Sequence, residues 1–91
     1  MTIKVKIPSM FQTATGGLKI AEVNNCATVG ECFYKVSDEY PPLRKMLFDE
    51  SDKLSGFLVV FINGHTVKGD VLETPVKSGD EIFPMMIIDG G

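Results

Sequence analysis

The sequence predicts a small α+β domain of two layers, a mixed sheet with one main helix packed across it. Three stretches carry that prediction. Near the start, Ile3, Val5 and Ile7 alternate with Lys4 and Lys6, the period-two pattern of a half-buried strand. Further on, Val29, Cys32, Phe33, Val36 and Tyr40 recur at helical spacing, while Glu31, Lys35, Asp38 and Glu39 take the other side. Residues 57–62 then form an unbroken apolar run of strand length, closed by Asn63-Gly64, the pair favoured in tight type I′ hairpins.

Taken in order, the first strand covers residues 2–8 and meets Pro8 at its end or edge. Ser9 to Thr15 is polar with Met10 and Phe11 embedded, which suits a single helical turn, and Gly16-Gly17 marks a turn. Leu18, Ile20 and, after a slip or bulge, Val23 form a second strand, antiparallel to the first. Thr28-Val29-Gly30-Glu31 matches a capping box, with Thr28 as N-cap and Glu31 reaching back. Pro41-Pro42 ends the main helix, because a proline ring clashes with the preceding turn and offers no N–H. Pro42 can also open a short second helix, Leu43 to Phe48. Asp49 to Gly56 is charged and turn-rich, hence a surface loop.

The run Phe57 to Ile62 has no polar face, which predicts a central strand covered on both sides. His65 to Val67 is a short fourth strand, and residues 68–76 are a connector anchored by Leu72 and Val76. After a turn at Lys77-Ser78-Gly79-Asp80, residues 81–88 form the last strand. Pro84 within it implies an edge, a bulge or an early end. A helix lying between two hairpins across one sheet is the β-grasp arrangement. The reading is one domain over residues 1–88 and a flexible tail at 89–91, with no repeat or linker.

Composition narrows the function. The chain has 91 residues, enough for one core, and 44% hydrophobic content, which argues against disorder. Net charge is −3 and the 9 basic residues are scattered, so the basic footprint of a nucleic-acid binder is absent. No apolar run approaches the roughly 20 residues of a membrane span. The alternating N-terminus does not look like a signal peptide, so a cytosolic protein is expected. Cys26 and Cys32 are too few for a structural zinc site or a thiolate-bound iron–sulfur cluster. Cys32 falls on the apolar helix face and reads as a small buried hydrophobe, whereas Cys26 sits in a loop with room to be exposed. In a reducing cytosol both are expected as thiols. His65 is the single histidine and has no partner at metal-ligand spacing. Asp49-Glu50-Ser51-Asp52 lacks the glycine and terminal glutamate of a calcium loop. Gly16-Gly17-Leu18-Lys19 lacks phosphate-loop spacing. No nucleophile–base pair is evident, so the chain is expected to do no chemistry alone and to bind no metal or cofactor.

Two features at the end remain. Met85-Met86-Ile87-Ile88 places four apolar residues where one half-buried strand needs two. They form either a strand covered on both faces or an exposed patch that docks a partner. The sequence then ends in Asp89-Gly90-Gly91. Glycines add nothing to packing and carry a high backbone entropy cost, but without Cβ atoms they can thread a narrow channel. The alternatives are a frayed terminus and a carrier tail whose Gly91 carboxylate is the reactive group.

The strand 57–62 with Asn63-Gly64, the stretch Leu72-Glu73-Thr74-Pro75-Val76-Lys77-Ser78-Gly79-Asp80-Glu81-Ile82, then Phe83-Pro84 and Gly90-Gly91, resembles the ubiquitin-like sulfur carriers of the MoaD/ThiS family. Ala27-Thr28-Val29-Gly30-Glu31 and Tyr40-Pro41-Pro42-Leu43 also fit, so the resemblance spans nearly the whole chain. Ile7-Pro8 with Thr15-Gly16-Gly17 is similar to members that carry sulfur for cysteine synthesis. The resemblance implies that an E1-like adenylyltransferase/sulfurtransferase adenylates the Gly91 carboxylate with ATP and magnesium. Sulfur then replaces AMP, and the resulting thiocarboxylate donates sulfur inside an acceptor synthase. The acceptor would resemble a molybdopterin synthase large subunit or a cysteine synthase. Asp89 and Gly90 would thread the partner's channel, and Phe83, Met85, Met86, Ile87 and Ile88 would dock it. The free carrier would be a monomer. One departure stands out: Ile88-Asp89 occupies the place where family members often have small residues. The same tail would also serve a protein modifier joined to lysines through Gly91, and a β-grasp binding subunit would need no tail at all.

Overall fold

The computed structural model describes residues 2–87. Strand β1 (Thr2–Lys6) leads through a 3₁₀ helix (Ser9–Thr15) to β2 (Ile20–Asn24). Helices α1 (Val29–Glu39) and α2 (Leu43–Leu47) follow, then β3 (Leu58–Ile62) and β4 (His65–Thr66). A short 3₁₀ turn (Val71–Glu73) precedes β5 (Glu81–Met86). The strands form one 5-stranded sheet in the order β2-β1-β5-β3-β4. β1 and β5 run parallel and every other pair is antiparallel, so the sheet is mixed as expected. With α1 lying across it, this is the β-grasp arrangement.

α1 forms where its capping chemistry and apolar stripe coincide. Thr28 Oγ1 accepts the Glu31 amide at 3.2 Å, and Glu31 Oε1 reaches back to the Ala27 amide at 2.8 Å. Val29, Cys32, Phe33 and Val36 are fully buried against Ile3 and Val5 of β1, Val60 of β3 and Ile82 of β5. Burial of a ring such as Phe33 is worth about 1.5–3 kcal/mol relative to exposure. Its edge meets Phe48 just after α2, with ring centroids 6.5 Å apart, which ties the two helices into one layer.

Four expectations need correction. β2 needs no slip or bulge: Ala21 and Val23 point inward and Ile20 is exposed, because the register with β1 runs unbroken from Lys6–Ile20 to Thr2–Asn24. β3 is covered on one face only. Leu58 and Val60 meet the helix, while Val59 and Phe61 are half-buried on the open face and Phe57 is exposed. Pro84 neither breaks β5 nor puts it at an edge, since β5 is the middle strand. The bonds from Asn63 N to Glu81 O and from Ile87 N to Phe57 O assign the β3-facing bonds to alternate residues, 81, 83, 85 and 87. Pro84 falls between them, so its nitrogen faces the β1 side, where pairing stops at Val5–Ile82. The missing N–H therefore falls opposite Lys6, the exposed last residue of β1, past the last β1–β5 pair. Finally, Cys26 is buried rather than exposed, and it is joined to Cys32 in a disulfide instead of standing as a free thiol. The loop before α1 folds back onto the helix's first turn and brings the two Cα atoms within 5.5 Å.

Candidate functional site

The site is set up by the start of β5. Asp80 is 5% exposed and accepts two hydrogen bonds, from Asn63 Nδ2 at 2.9 Å and from the Lys77 amide at 2.9 Å. Asn63 Oδ1 in turn accepts the Glu81 amide at 2.9 Å, and the Asp80 carbonyl accepts the Lys4 amide at 3.0 Å. One carboxylate–amide pair thus joins the β3–β4 turn to the entry of β5 and, through the adjoining backbone, to β1. Asn63 and Gly64 both have positive φ (51° and 84°), as a type I′ turn requires. That geometry points the Asn63 side chain back at the sheet. The register of β5 against both neighbours is thereby fixed, and a one-residue slip would invert every side chain beyond it.

Past that point β5 alternates. Ile82 and Pro84 face the helix layer and are buried, whereas Phe83 is half-buried on the open face and Met85 and Ile87 are 39% and 50% exposed. The register sets Phe83 opposite Phe61, with ring centroids 6.4 Å apart, and Met85 opposite Val59. Ile87 N donates to Phe57 O at 2.7 Å, and Phe57, 69% exposed, stands at the end of this apolar stripe. The upper part of the stripe forms an open depression of about 270 Å³ lined by Phe61, Phe83 and Met85 between Lys6 and Glu81. Such an apolar strip with a charged rim can exclude water against a partner.

The structure brings together three of the predicted docking residues, Phe83, Met85 and Ile87, on one face. It does not bring Met86 to them. Met86 pairs with Leu58 and packs against the core from the other side. Ile88, Asp89, Gly90 and Gly91 lie outside the described residues. Sequence reasoning missed Val59, Phe61 and Phe57 as members of the stripe. Their signal was the period-two alternation of 57, 59 and 61, which the pairing sets beside 83, 85 and 87, hidden because every residue of the run is apolar. His65 is exposed on β4, and among the described residues no group of three or more His, Cys, Asp or Glu side chains is placed to hold a metal ion. No helix among the described residues is long and apolar enough to cross a membrane.

The model of the ThiS family matches residues 5–91. A protein of Archaeoglobus fulgidus, provisionally named a sulfur carrier protein, is 30% identical over 92 residues, which cover 100% of both chains. A chain in the crystal structure of the Amycolatopsis orientalis BexX/CysO complex is 33% identical and superposes with a TM-score of 0.86 over 98% of this chain and 99% of that one. The solution structure of small archaeal modifier protein 1 from Methanosarcina acetivorans is 27% identical, with a TM-score of 0.84 over 99% and 96% of the two chains. These neighbours share the ubiquitin-like fold.

Proposed function

The chain belongs to the ThiS family, and on that premise we propose that it is a sulfur carrier that works through a thiocarboxylate on Gly91. The observation that carries this reading is the extent of the family match, which runs past β5 and its apolar stripe through Gly90 and Gly91. In the proposed cycle an E1-like enzyme binds ATP and magnesium. A Gly91 carboxylate oxygen attacks the α-phosphorus, and pyrophosphate leaves. A hydrosulfide-level nucleophile then attacks the acyl carbon and expels AMP. Activation is needed because a carboxylate is a poor electrophile and an acyl phosphate anhydride is a good one. The thiocarboxylate is a nucleophile on a narrow tether, suited to a buried acceptor site.

Phe83, Met85 and Ile87, with Phe57 and Phe61, would dock the partner. Asp89 and Gly90 would lie in its channel, where Asp89 favours a basic lining. A related chain has been crystallised in the BexX/CysO complex, which supports docking on a partner as the working state of this fold. The reading puts the carrier, a monomer when free, in the cytosol with its ATP-dependent partner. The experiment is ATP–pyrophosphate exchange catalysed by the host's activating enzyme. Exchange should depend on this chain and vanish on deletion of Gly91, with the melting temperature of the variant unchanged. Exchange that persists without Gly91 would overturn the assignment of the reacting group.

A second reading has one observation in its favour, the 27% identity to small archaeal modifier protein 1. In that case activated Gly91 would be transferred to lysine amines. Gly91-linked isopeptide peptides recovered from host lysates would mark this use.

A further inference from the structure

We propose that Cys26 and Cys32 form a reversible redox staple that sets the stiffness of the segment feeding β5. The inference stands independently of sulfur carriage. The two sulfurs are bonded, the Cα–Cα distance of 5.5 Å lies within the usual disulfide range, and no cysteine is left free. Both residues are almost wholly buried, Cys26 at 2% and Cys32 at 0% exposure. They differ in setting. Cys32 is held in α1 by its amide bond to Thr28 O, whereas Cys26 lies in the loop after Asn25, a non-glycine residue at φ 59°. A thiol can reach the buried bond only by opening of that loop, which Lys35 Nζ holds to α1 through the Asn24 and Asn25 carbonyls at 2.6 and 3.0 Å.

The step is a thiol–disulfide exchange. A small-molecule thiolate attacks Cys26 Sγ, the Sγ–Sγ bond breaks, and the electron pair leaves on Cys32. Cys32 stands near the helix N-terminus, whose partial positive charge favours a leaving thiolate. A second thiol then releases Cys26, giving two protein thiols and one small-molecule disulfide. Oxidation by a small-molecule disulfide runs the same steps backwards.

What the staple holds is next to it. The Ala27 carbonyl accepts the Val76 amide at 2.9 Å, and the Val29 amide donates to Thr74 O at 3.0 Å. Residues 74–76 lead directly into Lys77 and Asp80, which fix the entry of β5. Closing the short loop removes conformations from the unfolded chain and from the locally opened one alike.

The test uses the whole chain purified in air, treated with oxidised glutathione and then alkylated in denaturant with and without dithiothreitol. The expected result is no alkylation without reductant and two alkylated cysteines with it. Reduction should lower the melting temperature by roughly 10 °C and speed hydrogen exchange at the Val76 amide by about ten-fold or more. The Cys26→Ala/Cys32→Ala variant should be indifferent to reductant. Two alkylatable thiols after glutathione treatment would overturn the proposal. So would a disulfide whose reduction leaves both melting temperature and Val76 exchange unchanged.

Discussion

Gly30 stands in the first turn of α1 with the backbone of Leu72 against it. A Cβ there would meet Leu72 O at 2.9 Å and Leu72 Cβ at 3.3 Å. Alanine inside a helix ordinarily gains up to about 1 kcal/mol over glycine. Here the gain is opposed by a backbone oxygen that cannot swing aside, and overpacking of this kind costs about 1–3 kcal/mol. Gly30→Ala should therefore destabilise the fold by about 1 kcal/mol or more in urea titration, and a stabilised variant would show that residues 71–73 can move. The same scale explains why some motif residues could be read from sequence without their role being visible. Asn63-Gly64 and Asp80 signalled turns correctly. That Asn63 and Asp80, 17 residues apart, bond to each other at 2.9 Å was not legible, because that contact needs the sheet to be assembled.

At the scale of elements, the stripe on β3 and β5 separates stability from docking. Phe57, Met85 and Ile87 are substantially exposed, so replacing them costs little of the core. Met85→Asp should shift the melting temperature only slightly while raising the concentration at which the activating enzyme half-saturates with this chain by about ten-fold or more, the scale of a lost interface anchor. Unchanged saturation would place docking elsewhere. The α1 face was legible because an amphipathic helix states its buried side in its own spacing, and Val29, Cys32, Phe33 and Val36 are all in the core. The faces of β3 were not legible, since an all-apolar strand contains no polar residue to mark the open side. Pro84 misled for a related reason. Its tolerance depends on where β1 stops, and that is a property of the neighbouring strand.

For the whole molecule, the order of elements was enough to predict a β-grasp domain, because one capped amphipathic helix between two hairpins has few other ways to cover a small sheet. The disulfide was not predicted. A compartment argument favoured thiols, whereas the chain's local path brings Cys26 onto the first turn of α1. Gly91 lies outside the described residues, and its proposed role rests on the family match. The decisive measurement is intact-protein and peptide mass spectrometry of the chain purified from its native host. A sulfur carrier should show a fraction heavier by a single oxygen-to-sulfur exchange, localised to Gly91 and increased by ATP, magnesium, a sulfur source and the activating enzyme. A chain that stays wholly carboxylate under those conditions, or carries the added mass on another residue, would contradict sulfur carriage through Gly91.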